Sequence, residues 1–203
     1  MDSPHVIGDT AILLSGGIDS TALAYWQRPA VAVTIDYGQR SAEGEIRAAS
    51  EVAQELSLQH LIVRINCASL GSGDLAGCPP SPTAPASEWW PYRNQLLVTF
   101  AAMRVFGTGI KRLSVGAVRS DSFHLDGTKG FFENINALLE NQEGGLRVEA
   151  PALHLSSEEL VETSGIPFSI LAWAHSCHKA SYACGNCRGC NKYVSLMSRF
   201  WHE

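Results

Sequence analysis

Four cysteines near the C-terminus are the residues whose type and spacing point most directly to chemistry. They follow the pattern C-x6-C-x2-C-x2-C, at positions Cys177, Cys184, Cys187 and Cys190. Four thiolates satisfy the tetrahedral preference of Zn²⁺ and leave no open position, so the spacing predicts a structural zinc site. An iron–sulfur cluster fits the same ligand type, and redox thiols are a further alternative. Cys67 and Cys78 stand apart and are interpreted as ordinary thiols.

The string S-G-G-I-D-S-T at residues 15–21 is a candidate phosphate-binding loop. It follows a short apolar run, so it is predicted to join a strand to a helix. Such a turn presents backbone N–H groups and a helix N-terminus to phosphate oxygens, although an ordinary connecting turn is the alternative. It lacks the lysine of a Walker A loop, so kinase-type phosphate transfer is not indicated. The candidate nucleotide-binding residues are Ser15, Gly16, Gly17, Asp19, Ser20 and Thr21.

A second polar turn, D-Y-G-Q-R at residues 36–40, comes directly after another predicted strand. Ligands gather at the carboxyl ends of parallel strands, so this turn is also a candidate binding site. Turn formation alone is the alternative explanation for its aspartate and glycine. The candidate nucleotide-binding residues here are Asp36, Tyr37, Gln39 and Arg40.

The order of apolar segments predicts the sheet that positions both turns. Apolar runs predict strands at residues 10–14, 30–35, 60–65 and 112–118. Helical spacing or helix-start signals occur at residues 19–27, 42–56, 94–106, 131–140 and from 156 onward. This order favours a three-layer α/β fold with a parallel sheet and right-handed crossovers. Residues 70–91, rich in proline and glycine, are predicted to form a long loop without periodic structure.

Composition and charge limit the function classes. The chain has 203 residues, of which 45% are hydrophobic and 17% charged, and its formal net charge is −5. This predicts one domain over residues 1–203, with a zinc-binding segment at residues 175–203 inside it. The negative charge argues against binding to nucleic acid through phosphate contacts. No apolar run approaches a membrane span and the N-terminus lacks a basic signal region, so we expect a cytoplasmic protein.

Three of these motifs together resemble a known family. The S-G-G-x-D-S string is similar to the PP-loop of the ATP pyrophosphatase superfamily. The D-Y-G-Q-R turn and the segment C-G-N-C-R-G-C at residues 184–190 resemble 7-cyano-7-deazaguanine synthase (QueC) and its relatives. The step P-Y-R-N at residues 91–94 is similar to the family's G-R-N, with Tyr92 where glycine is usual. The resemblance implies a PP-loop-type α/β fold that uses ATP, Mg²⁺ and Zn²⁺, and it implies a homodimer.

The resemblance also implies a substrate pocket. Asp121 and Asp126 fall near two aspartates of the family, and a carboxylate can accept both donors of a guanine-like edge. Turn formation is the alternative for both. The candidates for stacking on the base are Phe123, His124 and Phe131, and those for contacting phosphate or the substrate carboxylate are Arg93 and Asn94. The rest of residues 116–132 differs from the family pattern.

The activity implied by the resemblance is ATP-dependent ligation. The carboxylate of 7-carboxy-7-deazaguanine would be adenylated and coupled to ammonia, giving an amide and then a nitrile, with Asp19, Ser20 and Arg93 as catalytic residues. One alternative is a defence-associated relative that joins the deazaguanine acid to a protein amine. Such a large nucleophile needs a wide opening to the site, which the loop containing Trp89 and Trp90 would provide. The motifs are also compatible with a tRNA-modifying PP-loop enzyme and with a non-enzymatic, zinc-stabilised nucleotide- or partner-binding module.

Overall fold

The fold is organised around a parallel sheet. A computed structural model of the protein describes residues 8–200, and within them five strands form one sheet in the order β3-β2-β1-β4-β5. The strands are β1 (Thr10–Leu13), β2 (Val31–Asp36), β3 (Gln59–Arg64), β4 (Arg112–Val115) and β5 (Arg147–Glu149). All neighbouring pairs are parallel. The predicted α/β class with a parallel sheet is therefore confirmed.

Helices cover both faces of this sheet. They are α1 (Ile18–Gln27), α2 (Ala42–Glu55), α3 (Gly73–Ala76), α4 (Arg93–Val105), α5 (Lys129–Glu140), α6 (Ser157–Ser164), α7 (Phe168–Leu171) and α8 (Arg188–Phe200). Helices α4 and α5 pack on one face and α1 and α2 on the other, while α6, α7 and α8 pack around α1. Strands buried on both faces favour apolar residues on both faces, and β2 follows this pattern except at Thr34 and at Asp36, its last residue.

Alternate residues of β1 show how the layers are assigned. Ala11 belongs to the core shared with α4 and α5, whereas Ile12 belongs to the core shared with α1 and α2. Successive strand residues point to opposite faces, so a four-residue strand contributes to both cores. The first strand is thereby fixed at the centre of the sheet, with the turn that follows it held between layers.

The strand order reverses direction at β1. From β1 the chain adds β2 and β3 on one side, then crosses to place β4 and β5 on the other. Ligands bind in the crevice at the carboxyl ends of the strands where such a reversal occurs. The turns that follow β1 and β4 therefore flank the expected binding crevice.

The structure adds elements that periodicity did not reveal. Strand β5 has only three residues, too few to show a pattern; α7 precedes the C-terminal segment of residues 175–203, and α8 lies within it, where the sequence predicts no helix. Residues 70–91 are not wholly irregular, because they contain the short helix α3. They are also not wholly at the surface, since the Trp90 side chain is only 2% exposed. The helix start predicted at residue 156 is confirmed, and a capping box forms there, with Ser156 and Glu159 bonded reciprocally.

Candidate active site

A cavity of about 300 Å³ opens where β1 and β4 end. Its lining combines the glycine loop (residues 15–17), the first turns of α1, α2 and α4, the turns after β4, and parts of the cysteine segment and α8. This volume lies at the lower end of the range typical of small-molecule sites, about 300–1,000 Å³. The cavity therefore brings together side chains from both ends of the sequence at the strand-order reversal.

Hydroxyl groups shape the glycine loop. The Gly17 N–H donates to Ser15 Oγ at 3.3 Å, and the Ser20 hydroxyl donates to the Gly17 carbonyl at 3.1 Å. The two serine oxygens lie 3.0 Å apart. No side chain of the described residues caps the N-terminus of α1. The first N–H groups of this helix are therefore left for a ligand, and they favour an anion.

Gly16 is held where no side chain fits. Its φ is +73°, and a Cβ there would lie 2.7 Å from the Glu45 carbonyl oxygen and 2.8 Å from the Ala48 Cβ. The Gly16 carbonyl also accepts the His175 N–H at 2.7 Å. The glycine loop is thus fixed between α2 and the segment that leads into the cysteine cluster.

Asp19 lies at the start of α1 and faces the cavity. Its Oδ2 accepts a hydrogen bond from Lys192 Nζ at 2.6 Å, while its buried Oδ1 has no partner among residues 8–200. The adjoining Ser20 is buried and also lines the cavity. Thr21, predicted to bind nucleotide, is fully buried and does not line the cavity.

The turn at residues 36–40 contributes Tyr37 to the cavity. This side chain is buried, packs edge-to-face on Trp90 with ring centroids 4.9 Å apart, and lines the cavity wall. Burial raises the pKa of the Tyr37 hydroxyl, against the opposing effect of the Arg93 guanidinium. The phenol therefore stays neutral and acts as a hydrogen-bonding group.

The other candidates in that turn have structural contacts. Gln39 is buried, accepting the Tyr37 N–H at 2.9 Å and donating to Glu45 Oε2 at 2.9 Å. Asp36 accepts a backbone N–H within the turn, and Arg40 is exposed. None of Asp36, Gln39 and Arg40 lines the cavity. The motif mostly encodes the loop that presents Tyr37 to the cavity, and nucleotide binding by this turn stays a prediction.

Glu45 is a cavity residue that the sequence reasoning missed. It accepts hydrogen bonds from the Ser41 hydroxyl at 2.6 Å and from Gln39, and it lines the cavity. Burial raises the pKa of its carboxyl, opposed by these two hydrogen bonds. The available signal was a glutamate between Gly44 and Ile46, which are both buried on the inner side of α2.

The first turn of α4 supplies Arg93 and Asn94. Arg93 lines the cavity. Tyr92, which precedes it, has a φ of +54° and an exposed side chain, so a non-glycine residue occupies a left-handed position at the cavity rim. The Asn94 N–H donates to Asp126 Oδ2 at 3.1 Å, and its side-chain amide donates to the Asp126 carbonyl at 2.7 Å. These bonds tie α4 to the turns after β4.

Asp121 and His124 face the cavity from those turns. Asp121 Oδ2 accepts the Val118 N–H at 2.9 Å. Burial raises the pKa of Asp121, and the nearby Asp19 carboxylate raises it further. The buried Nδ1 of His124 has no partner within the described residues. Two polar groups are thus available to a ligand from this side.

Neither phenylalanine predicted to stack on a base borders the cavity. Phe123 is 60% exposed and contacts the ring of His124 edge-to-face. Phe131 packs against Phe132 and the main core. Of the three stacking candidates, only His124 lies at the cavity, because the helical turns after β4 direct the two phenylalanines elsewhere.

The four clustered cysteines form a compact group. Their sulfur atoms all lie within 4.8 Å of one another, with 3.9 Å between Cys184 and Cys190 and 4.0 Å between Cys177 and Cys187. Tetrahedral zinc with Zn–S bonds of about 2.3 Å places its sulfurs about 3.8 Å apart, so the group fits this ion. A hydrogen bond from the Asn186 backbone N–H lowers the pKa of Cys184 to about 6, favouring the thiolate that a metal requires.

Comparisons with known proteins agree with this geometry. A family model described as "Queuosine biosynthesis protein QueC" matches residues 9–195. The chain belongs to the QueC family. A 7-cyano-7-deazaguanine synthase of Desulforudis audaxviator is 32% identical over 207 residues, covering 89% of this chain and 92% of the relative. Another, of Laribacter hongkongensis, is 32% identical over 211 residues, covering 94% and 90%.

The QueC match spans the glycine loop, the turn at residues 36–40 and the cysteine cluster. Lys192, like Glu45, is a cavity residue that the motifs did not indicate, since it lies two positions beyond the last clustered cysteine. Within residues 8–200, no helix is both long enough and apolar enough to cross a membrane.

Proposed function

We propose that this protein is an ATP-dependent carbon–nitrogen ligase that activates the carboxylate of 7-carboxy-7-deazaguanine and couples it to ammonia. The observation that carries the proposal is that one cavity is lined both by the glycine loop and by the side chains Arg93, Asp121 and His124. Such a cavity can hold a phosphate chain against one wall and a planar base against the other. The names of the QueC relatives support this choice of substrate.

The glycine loop would bind the ATP phosphates. The uncapped N–H groups of α1 are donors in this region, and the hydroxyl groups of Ser15 and Ser20 lie beside them, 3.0 Å apart; on ATP binding the Ser20 hydroxyl would exchange the Gly17 carbonyl for a phosphate oxygen. The unpartnered Oδ1 of Asp19 fits a role as a Mg²⁺ ligand, because hard cations take carboxylate oxygens. When bound, Mg²⁺ would neutralise phosphate charge and orient the α-phosphate.

The chemistry that follows needs little acid–base help from the chain. The substrate carboxylate attacks the α-phosphorus, pyrophosphate leaves, and an acyl adenylate forms. Arg93 is placed to stabilise the negative charge that develops on the α-phosphate oxygens, since its planar guanidinium can donate two parallel hydrogen bonds. The proposal assigns Arg93, Asp19 and Ser20 to positioning and electrostatic stabilisation.

Asp121 would recognise the guanine-like edge. Burial disfavours its ionised form in the free protein, and the paired N1–H and amine donors of the base would stabilise that form on binding. Asn94 contacts Asp126 and so holds the adjoining turn, while His124 is the group available to contact the base plane.

Ammonia completes the first cycle by attacking the acyl carbon, which releases AMP and leaves the amide. A second ATP would activate the amide oxygen, and loss of AMP with that oxygen would give the nitrile. We propose further that residues 175–203 are an integral zinc-binding segment of one domain over residues 1–203. The hydrogen bond between His175 and Gly16 supports this arrangement; residues 201–203 of the segment lie outside the described part.

A mass-spectrometric assay tests the proposal. Purified protein is incubated with 7-carboxy-7-deazaguanine, Mg·ATP and ammonium, and we expect the nitrile, AMP and pyrophosphate. Asp19→Asn should abolish product, whereas Asp9→Asn should not, because Asp9 is exposed and paired with Arg112 outside the cavity. Absence of acid-dependent ATP consumption by the wild type would refute the proposal.

Transfer to a protein amine is the second candidate, and the cavity rim favours it. Tyr92, Phe123 and Leu125 do not line the cavity themselves, but each is next in sequence to a residue that does, and they are 76%, 60% and 89% exposed. The loop residue Trp90, by contrast, is buried against Tyr37 and does not form an open mouth. Adenylate or amide without nitrile in the same assay would favour this candidate.

A further inference from the structure

The glycine loop lacks a lysine, and the cavity around it is rich in acidic groups. Asp19, Glu45, Asp121 and Asp126 all line it. A triphosphate is a polyanion, and P-loop proteins bind such a chain with a lysine that belongs to the loop itself. Mg²⁺ and the N-terminus of α1 would offset part of this charge, and a cationic side chain from another part of the chain would offset more of it. Among the described residues that line the cavity, the lysine and arginine side chains are Lys192 and Arg93.

Lys192 is the one of these two that contacts the glycine-loop helix directly. Its Nζ lies 2.6 Å from Asp19 Oδ2, in the first turn of α1, although the two residues are 173 positions apart. The Lys192 side chain is 37% exposed and that of Asp19 is 17% exposed. The ammonium group therefore lies at the edge of the cavity, between solvent and the anion-binding end of α1.

The position of Lys192 is fixed from two directions. It follows Cys190 by two residues on α8, so the cysteine cluster holds the start of its helix. Further along α8, Leu196 and Met197 are buried in the same core as Ile18 of α1. A lysine on this helix is consequently presented to the glycine loop by fixed backbone rather than by a loose terminus.

We propose that Lys192 is a phosphate-binding residue that supplies the cationic charge missing from the glycine loop. In the free protein it pairs with Asp19. When Mg·ATP binds, the ammonium moves to the phosphate oxygens and both Asp19 oxygens become free for the cation. This inference rests on the proposed function, because it requires ATP to occupy the cavity.

The incomplete pairing of Asp19 supports a change of partner. Lys192 satisfies Oδ2, while the buried Oδ1 is left without a partner in the described residues. Burying an unpartnered carboxylate oxygen is unfavourable, and a purely structural ion pair gains nothing from it. Lys179 offers a contrast: its Nζ lies 3.5 Å from Asp74 in the loop at residues 70–91, and neither residue lines the cavity.

Titration calorimetry of the zinc-loaded, full-length protein with Mg·ATP and with adenosine tests the inference without the acid substrate. Lys192→Met should weaken Mg·ATP binding at least tenfold and leave adenosine binding within twofold of wild type. Lys192→Arg should retain most of the ATP affinity, because it keeps the charge. Lys179→Met is the matched control on the same segment and should bind both ligands normally.

The outcomes separate the two proposals. Equal Mg·ATP affinity of Lys192→Met and wild type would overturn the role of Lys192 and leave the ligase proposal standing. Equal loss of ATP and adenosine affinity, in Lys192→Arg as well, would also overturn it, since that result indicates a structural role. Failure of the wild type to bind Mg·ATP would overturn the ligase proposal itself.

Discussion

The nucleotide half of the proposed site, residues 15–20, and the substrate half, residues 116–131, are held in place by different kinds of contact. In the nucleotide half, Gly16 packs against the backbone of α2 and accepts a hydrogen bond from His175. In the substrate half, two short 3₁₀ turns follow β4 and are tied to α4 through Asn94 and Asp126. Both halves contain close backbone packing, but they differ in how they are joined to the neighbouring helix: Gly16 meets the backbone of α2, whereas the turns after β4 are joined to α4 by the hydrogen bonds of Asn94 and Asp126.

This difference has a functional consequence. Close backbone packing admits little change of sequence, which suits a loop that must present N–H groups to phosphate. Turns held by side-chain hydrogen bonds can change their exposed residues, such as Phe123, without disturbing the sheet. On the proposed function, the nucleotide would bind to the more constrained half and the acid to the half whose exposed residues can vary.

The largest expected effect comes from removing a cysteine of the cluster. Cys184→Ser should abolish zinc binding and weaken Mg·ATP binding more than tenfold, because the segment carrying His175 and Lys192 would lose its anchor. Metal analysis and calorimetry measure both. Cys78→Ser, at another exposed cysteine, should change neither. A zinc-free Cys184→Ser protein with normal ATP affinity would show that the nucleotide half does not depend on the cluster.

Gly16→Ala is expected to have the next largest effect. The added Cβ would meet the Glu45 carbonyl at 2.7 Å in a left-handed conformation, so we expect the free energy of unfolding to fall by about 2–4 kcal/mol. Gly107→Ala is the matched control, since its φ is also positive but no atom lies within 4 Å. That variant should lose about 1 kcal/mol. Equal losses in urea denaturation would refute close packing as the cause.

Asn94→Ala tests the substrate half. The variant loses the hydrogen bond from the Asn94 side-chain amide to the Asp126 carbonyl, so the free energy of unfolding should fall by about 1 kcal/mol. The KM for the acid should rise several-fold, with little change in the KM for ATP. Steady-state kinetics with each substrate varied separately checks this. Gln95→Ala, at the exposed neighbour on α4, should leave both values unchanged. A parallel rise in both KM values would contradict the division of the cavity into two halves.

The smallest expected effect is a change in the pH dependence of stability at His60, which lies outside both halves of the proposed site. Burial lowers its pKa from 6.5, and its Nε2 lies 2.8 Å from Thr34 Oγ1. His60 therefore binds a proton more readily in the unfolded chain than in the folded protein. The stability associated with neutral, buried His60 is present above pH 6.5, and it is lost as the pH falls below that value, because protonation favours the unfolded chain. His60→Gln should reduce the drop in urea midpoint between pH 8 and pH 5.5. An unchanged drop would show that groups other than His60 cause the loss of stability at low pH.

The sequence predicted the nucleotide half better than the substrate half for a physical reason. The strand, the glycine turn and the helix of residues 10–27 are adjacent in the chain, so local pattern was enough to predict them. The same holds for the cysteine cluster, whose ligands fall within 14 residues, from Cys177 to Cys190. The motif does not encode side-chain burial, and Thr21, predicted to bind nucleotide, is buried and does not line the cavity.

The residues that sequence reasoning misplaced depend on contacts between distant segments. Lys192 reaches Asp19 across 173 positions, and no local pattern links them. Phe123 and Phe131 were expected near the base, but the 3₁₀ turns after β4 set their directions. Strand β5 was missed because three residues carry no periodicity. Long-range pairing and short turns therefore account for most of what only the structure revealed.

Isotope transfer from the acid substrate tests the central claim most directly. In the proposed reaction, one cavity brings the substrate carboxylate to the α-phosphorus of ATP. With 7-carboxy-7-deazaguanine labelled by ¹⁸O in both carboxylate oxygens, we expect AMP that carries one ¹⁸O atom, since the oxygen that attacks phosphorus leaves with AMP. Unlabelled AMP formed in an acid-dependent reaction would contradict adenylation of the carboxylate and, with it, the proposed use of this cavity.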